Sequence, residues 1–229
     1  KLNIKNCEYV FGSFGYASTE KRIIPILEAL ARFKDQKRIA FHYYIVGKVN
    51  GIDVDGQVNK LGLSNEVTVT GYTTLEDFKI YMGACDACLN LRYPTQGESS
   101  ASLHRMFGMG KPVIVSQIGT FEEYPDDIVL KVRCDDHEIQ DIYNAICELT
   151  KDREELAQRA KNAILFAKDN CDLTKNARMY TEFFAAVIAG NYQDNYIETV
   201  IDRLFEFKFT DDSYIQHLLC DKQEECMLG

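Results

Sequence analysis

Short apolar runs alternate with amphipathic stretches along most of this chain. Glu8 to Gly15 is an apolar run that ends in glycines and reads as a strand. Ile23, Ile24, Ile26, Leu27, Leu30 and Phe33 then recur at spacings of three and four, which predicts a helix with one apolar face. A second strand is expected over about 39–46, a short helix over 54–63, and a third strand over 66–71, where Val67, Val69 and Gly71 alternate with Thr. A helix over about 75–84 leads to a buried strand over 85–91. Arg92 to Pro112 carries a small-residue turn and a short helix with Leu103, Met106 and Phe107 on one face. Ser99 or Ser100 can cap that helix, Gly110 suits the left-handed position past its end, and Pro112 stops it. Strands over 113–116 and 128–132 follow, separated by a turn over 119–123.

Six strands alternating with helices, most too apolar to have a wet face, predict an α/β, Rossmann-like parallel sheet with helices on both faces. In such sheets ligands bind at the carboxyl ends of the strands, where the loops 12–22, 71–74, 92–102 and 116–123 would gather. Beyond residue 136 the chain is helical, over 136–149, 151–168 and 174–189. Gly190-Asn191 is the clearest break, so we divide the chain into a domain at 1–190 and an acidic helical extension at 191–229. Two helices are expected in the extension, at about 195–207 and 211–220. They either pack back on the domain or dock onto a protein partner.

Charge narrows the function classes. The net charge is −9, with roughly six of those charges in the last 39 residues, which argues against non-specific nucleic-acid binding. No apolar run approaches the ~20 residues of a membrane-spanning helix, and Lys1-Leu2-Asn3 does not read as a signal peptide. The eight cysteines are scattered through apolar segments and read as reduced thiols of a cytoplasmic protein. Cys85-Asp86-Ala87-Cys88 could be a redox pair or half a zinc site. It opens an apolar run and has no second pair or nearby His, so it reads as core strand.

Two stretches suggest chemistry. The strand that passes through Gly97, Ser99 and Ser100 into a helix leaves N–H groups and the positive end of a helix dipole facing outward. That junction is either an anion seat fit for phosphate or an ordinary βα turn. Lys21 and Arg22 are expected just inside the first turn of the preceding long helix, where the dipole disfavours cations unless an anion arrives. The glycines at 12 and 15 do not form the dinucleotide fingerprint, which disfavours a nicotinamide cofactor.

Taken together, Phe11-Gly-Ser-Phe-Gly-Tyr-Ala-Ser-Thr-Glu-Lys-Arg, Val67-Thr-Val-Thr-Gly-Tyr, Arg92-Tyr-Pro-Thr-Gln-Gly-Glu-Ser-Ser-Ala-Ser-Leu and Gly110-Lys-Pro-Val-Ile-Val-Ser resemble the carboxyl-terminal half of a GT-B-fold glycosyltransferase of family four. The likeness runs over about residues 8–189. It implies the donor-binding half of a retaining enzyme that takes a nucleoside-diphosphate sugar without a metal or other cofactor. It also implies an amino-terminal acceptor domain outside this sequence. The opening at Lys1, without Met, is consistent with one half of a longer protein, expected to be inactive by itself and, when whole, open to peripheral membrane association.

By the same resemblance Lys21 matches the family's diphosphate-binding lysine. Gly15, Arg22 and the backbone of Ser99, Ser100, Ala101 and Ser102 would contact the diphosphate, and Gly71 and Tyr72 would lodge the base. The two glutamates that relatives place eight apart fall on Gly97 and Arg105, the latter at the ribose, and an arginine five before the lysine is Tyr16. Glu98 either substitutes for the first glutamate, giving catalytic roles to Lys21 and Glu98, or the site is degenerate and the chain is a scaffold. A sugar-nucleotide 2-epimerase shares the fold but would need acidic and His groups at the sugar. Of the histidines, only His104 falls near a ligand loop.

Overall fold

In the computed structural model, which describes residues 7–189, the apolar runs form a parallel sheet and the striped segments form its covering helices. The order is β1 (Tyr9–Phe14), α1 (Ile23–Lys37), β2 (Phe41–Val46), α2 (Val54–Lys60), β3 (Val67–Gly71), α3 (Leu75–Ala84), β4 (Ala87–Asn90), α4 (Ala101–Gly108) and β5 (Val113–Ser116). A 3-10 turn over Gly119–Glu123 leads to β6 (Val129–Val132), α5 (Glu138–Leu149), α6 (Arg153–Asn170) and α7 (Leu173–Ile188). The strands lie in the order β3-β2-β1-β4-β5-β6, every neighbouring pair parallel.

Period-two alternation sends the side chains of each central strand to opposite faces. Phe11, Ile45, Leu89 and Ile114 meet Ile26, Leu27, Leu30 and Phe33 of α1 and Ile142 and Ile146 of α5 on one face. Val10, Val46, Cys88, Val113 and Val115 meet Met82 of α3, Leu103, Met106 and Phe107 of α4 and Ala163 of α6 on the other. Each large side chain buried this way stabilises the fold by about 1.5–3 kcal/mol. The α/β sheet covered on both sides is therefore the fold that the sequence pattern predicts. Cys85 and Cys88 are buried in it, as the core reading expects. Among the described residues, no group of three or more His, Cys, Asp or Glu is placed to hold a metal.

Helix ends follow local chemistry. Ser100, not Ser99, caps α4, its hydroxyl oxygen accepting from Leu103 N. Gly110 sits at φ 65°, and a Cβ there would come within 2.9 Å of Ile164 Cδ1. One boundary differs from expectation. Helix α1 begins at Ile23, so Lys21 and Arg22 precede its first turn. Arg22 adopts a left-handed conformation (φ 54°), which breaks the helical path.

The chain forms two units that meet at Asp172 and Leu173, earlier than the break expected at Gly190-Asn191. The first holds the sheet and α1–α6. The described part of the second is α7, along which Phe183 and Phe184 pack with ring centroids 5.7 Å apart. The extension at 191–229 and its two expected helices lie outside the described residues. No described helix is long and apolar enough to cross a membrane.

Candidate functional site

Strand order reverses direction between β1 and β4. Beyond β1 the chain passes to β2 on one side, and beyond β4 it passes to β5 on the other, the topology at which carboxyl-end loops diverge. The crevice there is narrow, a cavity of about 10 Å³ lined by Ser13, Gly15, Lys21 and Leu89 among others. Beneath it Tyr43 OH donates to Ser13 Oγ at 2.7 Å, and Ser13 Oγ donates to Leu89 O at 2.8 Å. The loop after β1 is held against the end of β2, with Gly15 N donating to Val46 O at 2.9 Å and Ala17 N to Lys48 O at 3.0 Å. Gly47 makes this approach possible. Its φ is 145°, and a Cβ there would lie 2.0 Å from Gly15 O. Across the crevice, Tyr93 N donates to Glu20 O at 2.8 Å and joins the loop after β4 to the loop after β1.

The two halves of the expected site meet on one atom. Asn90, the last residue of β4 and 2% exposed, presents its Oδ1 to Lys21 Nζ at 3.4 Å, Ser100 Oγ at 3.3 Å and Ser102 Oγ at 3.3 Å. The two serine hydroxyls are 3.0 Å from each other. Lys21 is thereby brought to the amino terminus of α4. Ala101 and Ser102 lie in the first turn of that helix, where N–H groups have no intrahelical acceptor and the dipole is positive. A cation, oriented N–H groups and hydroxyls at the carboxyl end of a parallel sheet form a site for an anion with several oxygens.

The electrostatics point the same way. Burial, together with the nearby Arg92 guanidinium, lowers the Lys21 ammonium from 10.5 to about 8, against a smaller opposing effect of Glu98. Two cations pushed together out of water are relieved by an anion between them. Glu98 answers part of this charge. Its Oε1 is 2.9 Å from Arg92 Nε, off the N–H direction and so an ion pair rather than an aligned hydrogen bond. Its Oε2 accepts from Gln96 N at 2.7 Å and Thr95 Oγ1 at 3.2 Å. Desolvation pushes the Glu98 carboxyl up, but the backbone N–H groups of Gln96 and Glu98, with Arg92 and the Thr95 hydroxyl, outweigh it and hold it below its ordinary value.

The other expected residues are dispersed. Arg22 does not direct its charge into the crevice. Its Nη2 is 2.5 Å and its Nε 2.9 Å from the Glu138 carboxylate, itself almost fully buried, so a fixed carboxylate neutralises it. Gly71 and the exposed Tyr72 close β3, on the far side of β2 from β1. Arg105 lies on the exposed side of α4, and Tyr16 is exposed beside Gly15. Ser99 and Ala101 flank the capping Ser100. The His104 ring is spent on Tyr124, with Nε2 2.9 Å from its OH, while His42 meets Thr68 and His137 meets Asp135.

Asn90 and Arg92 are the two residues that sequence reasoning missed as site components. Asn90 was legible in principle, as a polar residue in a run otherwise fit for full burial. Arg92 was visible only as the start of a loop. A more open cleft of about 590 Å³ lies elsewhere, beside β6. Its Lys131, Arg133 and Arg159 are matched by Asp126, Asp141 and Glu148, which leaves little charge for a ligand.

A Rossmann-like parallel sheet with a lysine and a capped helix start brought together at its switch point defines the class, an α/β domain of the doubly wound kind. The chain belongs to the glycosyl transferases group 1 family, whose model matches residues 1–166. Among solved structures it is similar to Alr3699/HepE of Anabaena in complex with UDP, at 23% identity and a TM-score of 0.67, with 78% of this chain and 49% of that one covered. It is similar to sucrose-phosphate synthase of Thermosynechococcus elongatus at 20% identity and a TM-score of 0.63, covering 78% of this chain and 46% of that one. The carboxyl-terminal domain of the group 1 protein LpcC of Francisella tularensis is 16% identical, with a TM-score of 0.61 and 73% and 88% covered. At these identities the likeness is one of GT-B fold. The chain spans about half the length of the HepE and sucrose-phosphate synthase chains. A comparison with curated proteins gives no match.

Proposed function

We propose that this chain is the donor-binding domain of a retaining glycosyltransferase that uses a nucleoside-diphosphate sugar and no metal, with the acceptor bound by a separate amino-terminal domain. The observation that carries the proposal is the convergence of Lys21 and the α4 cap on Asn90 at the β1/β4 switch point. Cleaving the anomeric C–O bond leaves a diphosphate, so the main electrostatic demand is to stabilise negative charge developing on its oxygens. The Lys21 ammonium, the Arg92 guanidinium and the first-turn N–H groups of α4 supply that stabilisation from fixed positions. Gly71 and Tyr72 would meet the base. HepE was solved with UDP and with UDP-glucose, which makes UDP the first ligand to try.

Calorimetric titration of the 229-residue chain with UDP, GDP and their glucose derivatives tests this reading. Binding of at least one, weakened tenfold or more by Lys21→Ala, is expected. A folded protein that binds none of them would refute it. A second reading, a scaffold that keeps the fold without catalysis, is favoured by one observation: both Glu98 oxygens are engaged by Arg92 and its own loop. Transfer by the full-length protein, lost in Glu98→Gln, would exclude the scaffold.

A further inference from the structure

Asn90 is out of character with its strand. The rest of β4 is Ala87, Cys88 and Leu89, all buried, and a polar amide in such a run must find partners within the protein. Its partners come from two separate places in the chain: the loop after β1, and the start of α4, where both the cap and the first turn contribute. The chemistry fixes which way the amide faces. A lysine ammonium only donates, and Ser100 Oγ, already accepting from Leu103 N, keeps its hydrogen to donate, so the shared atom is the carbonyl oxygen. The Nδ2 group is then a buried donor with no partner among the described residues. Leaving such a donor unsatisfied costs free energy that an acceptor brought by a ligand would return.

We propose that Asn90 is the positioning residue of the diphosphate site: its amide oxygen holds the Lys21 ammonium in register with the α4 amino terminus, so that cation and helix dipole act on the same phosphates. This rests on the donor-site reading above and deepens it. Without the amide, Lys21 keeps its place in the chain but loses the hydrogen bond that relates its ammonium to α4. The charged groups around that ammonium are Arg92, which repels it, and Glu98, which attracts it, with Glu20 beyond Arg92. An uncharged oxygen at Asn90 holds the ammonium without cancelling its charge. Aspartate there would hold it and cancel it, and leucine would do neither.

The test is UDP affinity of the full chain and its Asn90→Leu and Asn90→Asp variants, titrated between about pH 7 and pH 10. In the unsubstituted protein affinity falls as Lys21 loses its proton, from about 8 upward. Asn90→Leu is expected to bind UDP about tenfold more weakly, with the fall moved to lower pH because the ammonium is less well solvated. Asn90→Asp is expected to weaken binding while moving the fall to higher pH, because a carboxylate stabilises the ammonium. A role confined to packing would move neither midpoint. Should Asn90→Leu fail to fold, the near-isosteric Asn90→Asp carries the test alone. Variants that match the unsubstituted protein in affinity and midpoint, while Lys21→Ala loses binding, would overturn the Asn90 proposal and leave the donor site standing. No UDP binding by the unsubstituted protein would overturn both.

Discussion

Replacing Lys21 by Met removes the ammonium and keeps a stem of similar length, which separates what this residue costs the fold from what it offers a ligand. The folded value of about 8 against an ordinary 10.5 means that holding the proton in the crevice at neutral pH costs on the order of 3 kcal/mol. The sign is definite. Below pH 8 the group is protonated in both states, and the folded protein bears the full penalty. Between about 8 and 10.5 the unfolded chain still binds the proton that the folded chain has released, so stability rises with pH until the penalty is gone. Lys21→Met has no such penalty. It should therefore be more stable than the unsubstituted protein at pH 7 by as much as about 3 kcal/mol, less the lost hydrogen bond to Asn90, and the gain should shrink to nothing or below by about pH 10.5. Urea melts of both proteins at the two pH values measure this directly, since the tyrosines and cysteines that titrate in the same range are common to both. The same variant should lose UDP binding, and UDP binding to the unsubstituted protein near pH 8.5 should take up protons, read as a dependence of calorimetric enthalpy on buffer ionisation. A stability difference that is the same at pH 7 and pH 10.5 would refute the reasoning, because it would mean that the crevice does not strain the charge on Lys21.

Two further substitutions probe the framework around Lys21. Glu138→Ala strips the partner from Arg22, whose side chain is 25% exposed while that of Glu138 is 5% exposed, and should lower the urea midpoint by an amount equivalent to about 3 kcal/mol. Gly47→Ala places a Cβ against Gly15 O in a backbone region where φ is 145°. It should cost about 1–3 kcal/mol in thermal melts and weaken UDP binding, because the displaced Gly15 loop carries Lys21.

The covered sheet was legible because β1, β2, β4 and β5 are mostly apolar and have no wet face, and the helix stripes recur at three and four. The turn into α4 was legible because a capping serine, a helix start and a stop at Gly110-Lys111-Pro112 are local features. Arg22 was misjudged. A cation next to Lys21 in sequence looked like a second phosphate contact, but Glu138, 116 residues away, claims it in the fold. Asn90 and Arg92 were overlooked for the complementary reason, since neither is next in sequence to the Lys21 that it meets in the crevice.

What the amino-acid order determined by itself is the succession of strands and helices, the family resemblance and the serine-capped turn that opens α4. All of these depend on periodicity and on residues within a few positions of each other. Only the tertiary structure decided which charges share the crevice. Placing β4 beside β1 brings Asn90 under Lys21, and packing α5 against α1 takes Arg22 away to Glu138. Electrostatic energy depends on distance and burial, and neither exists until the chain has closed on itself.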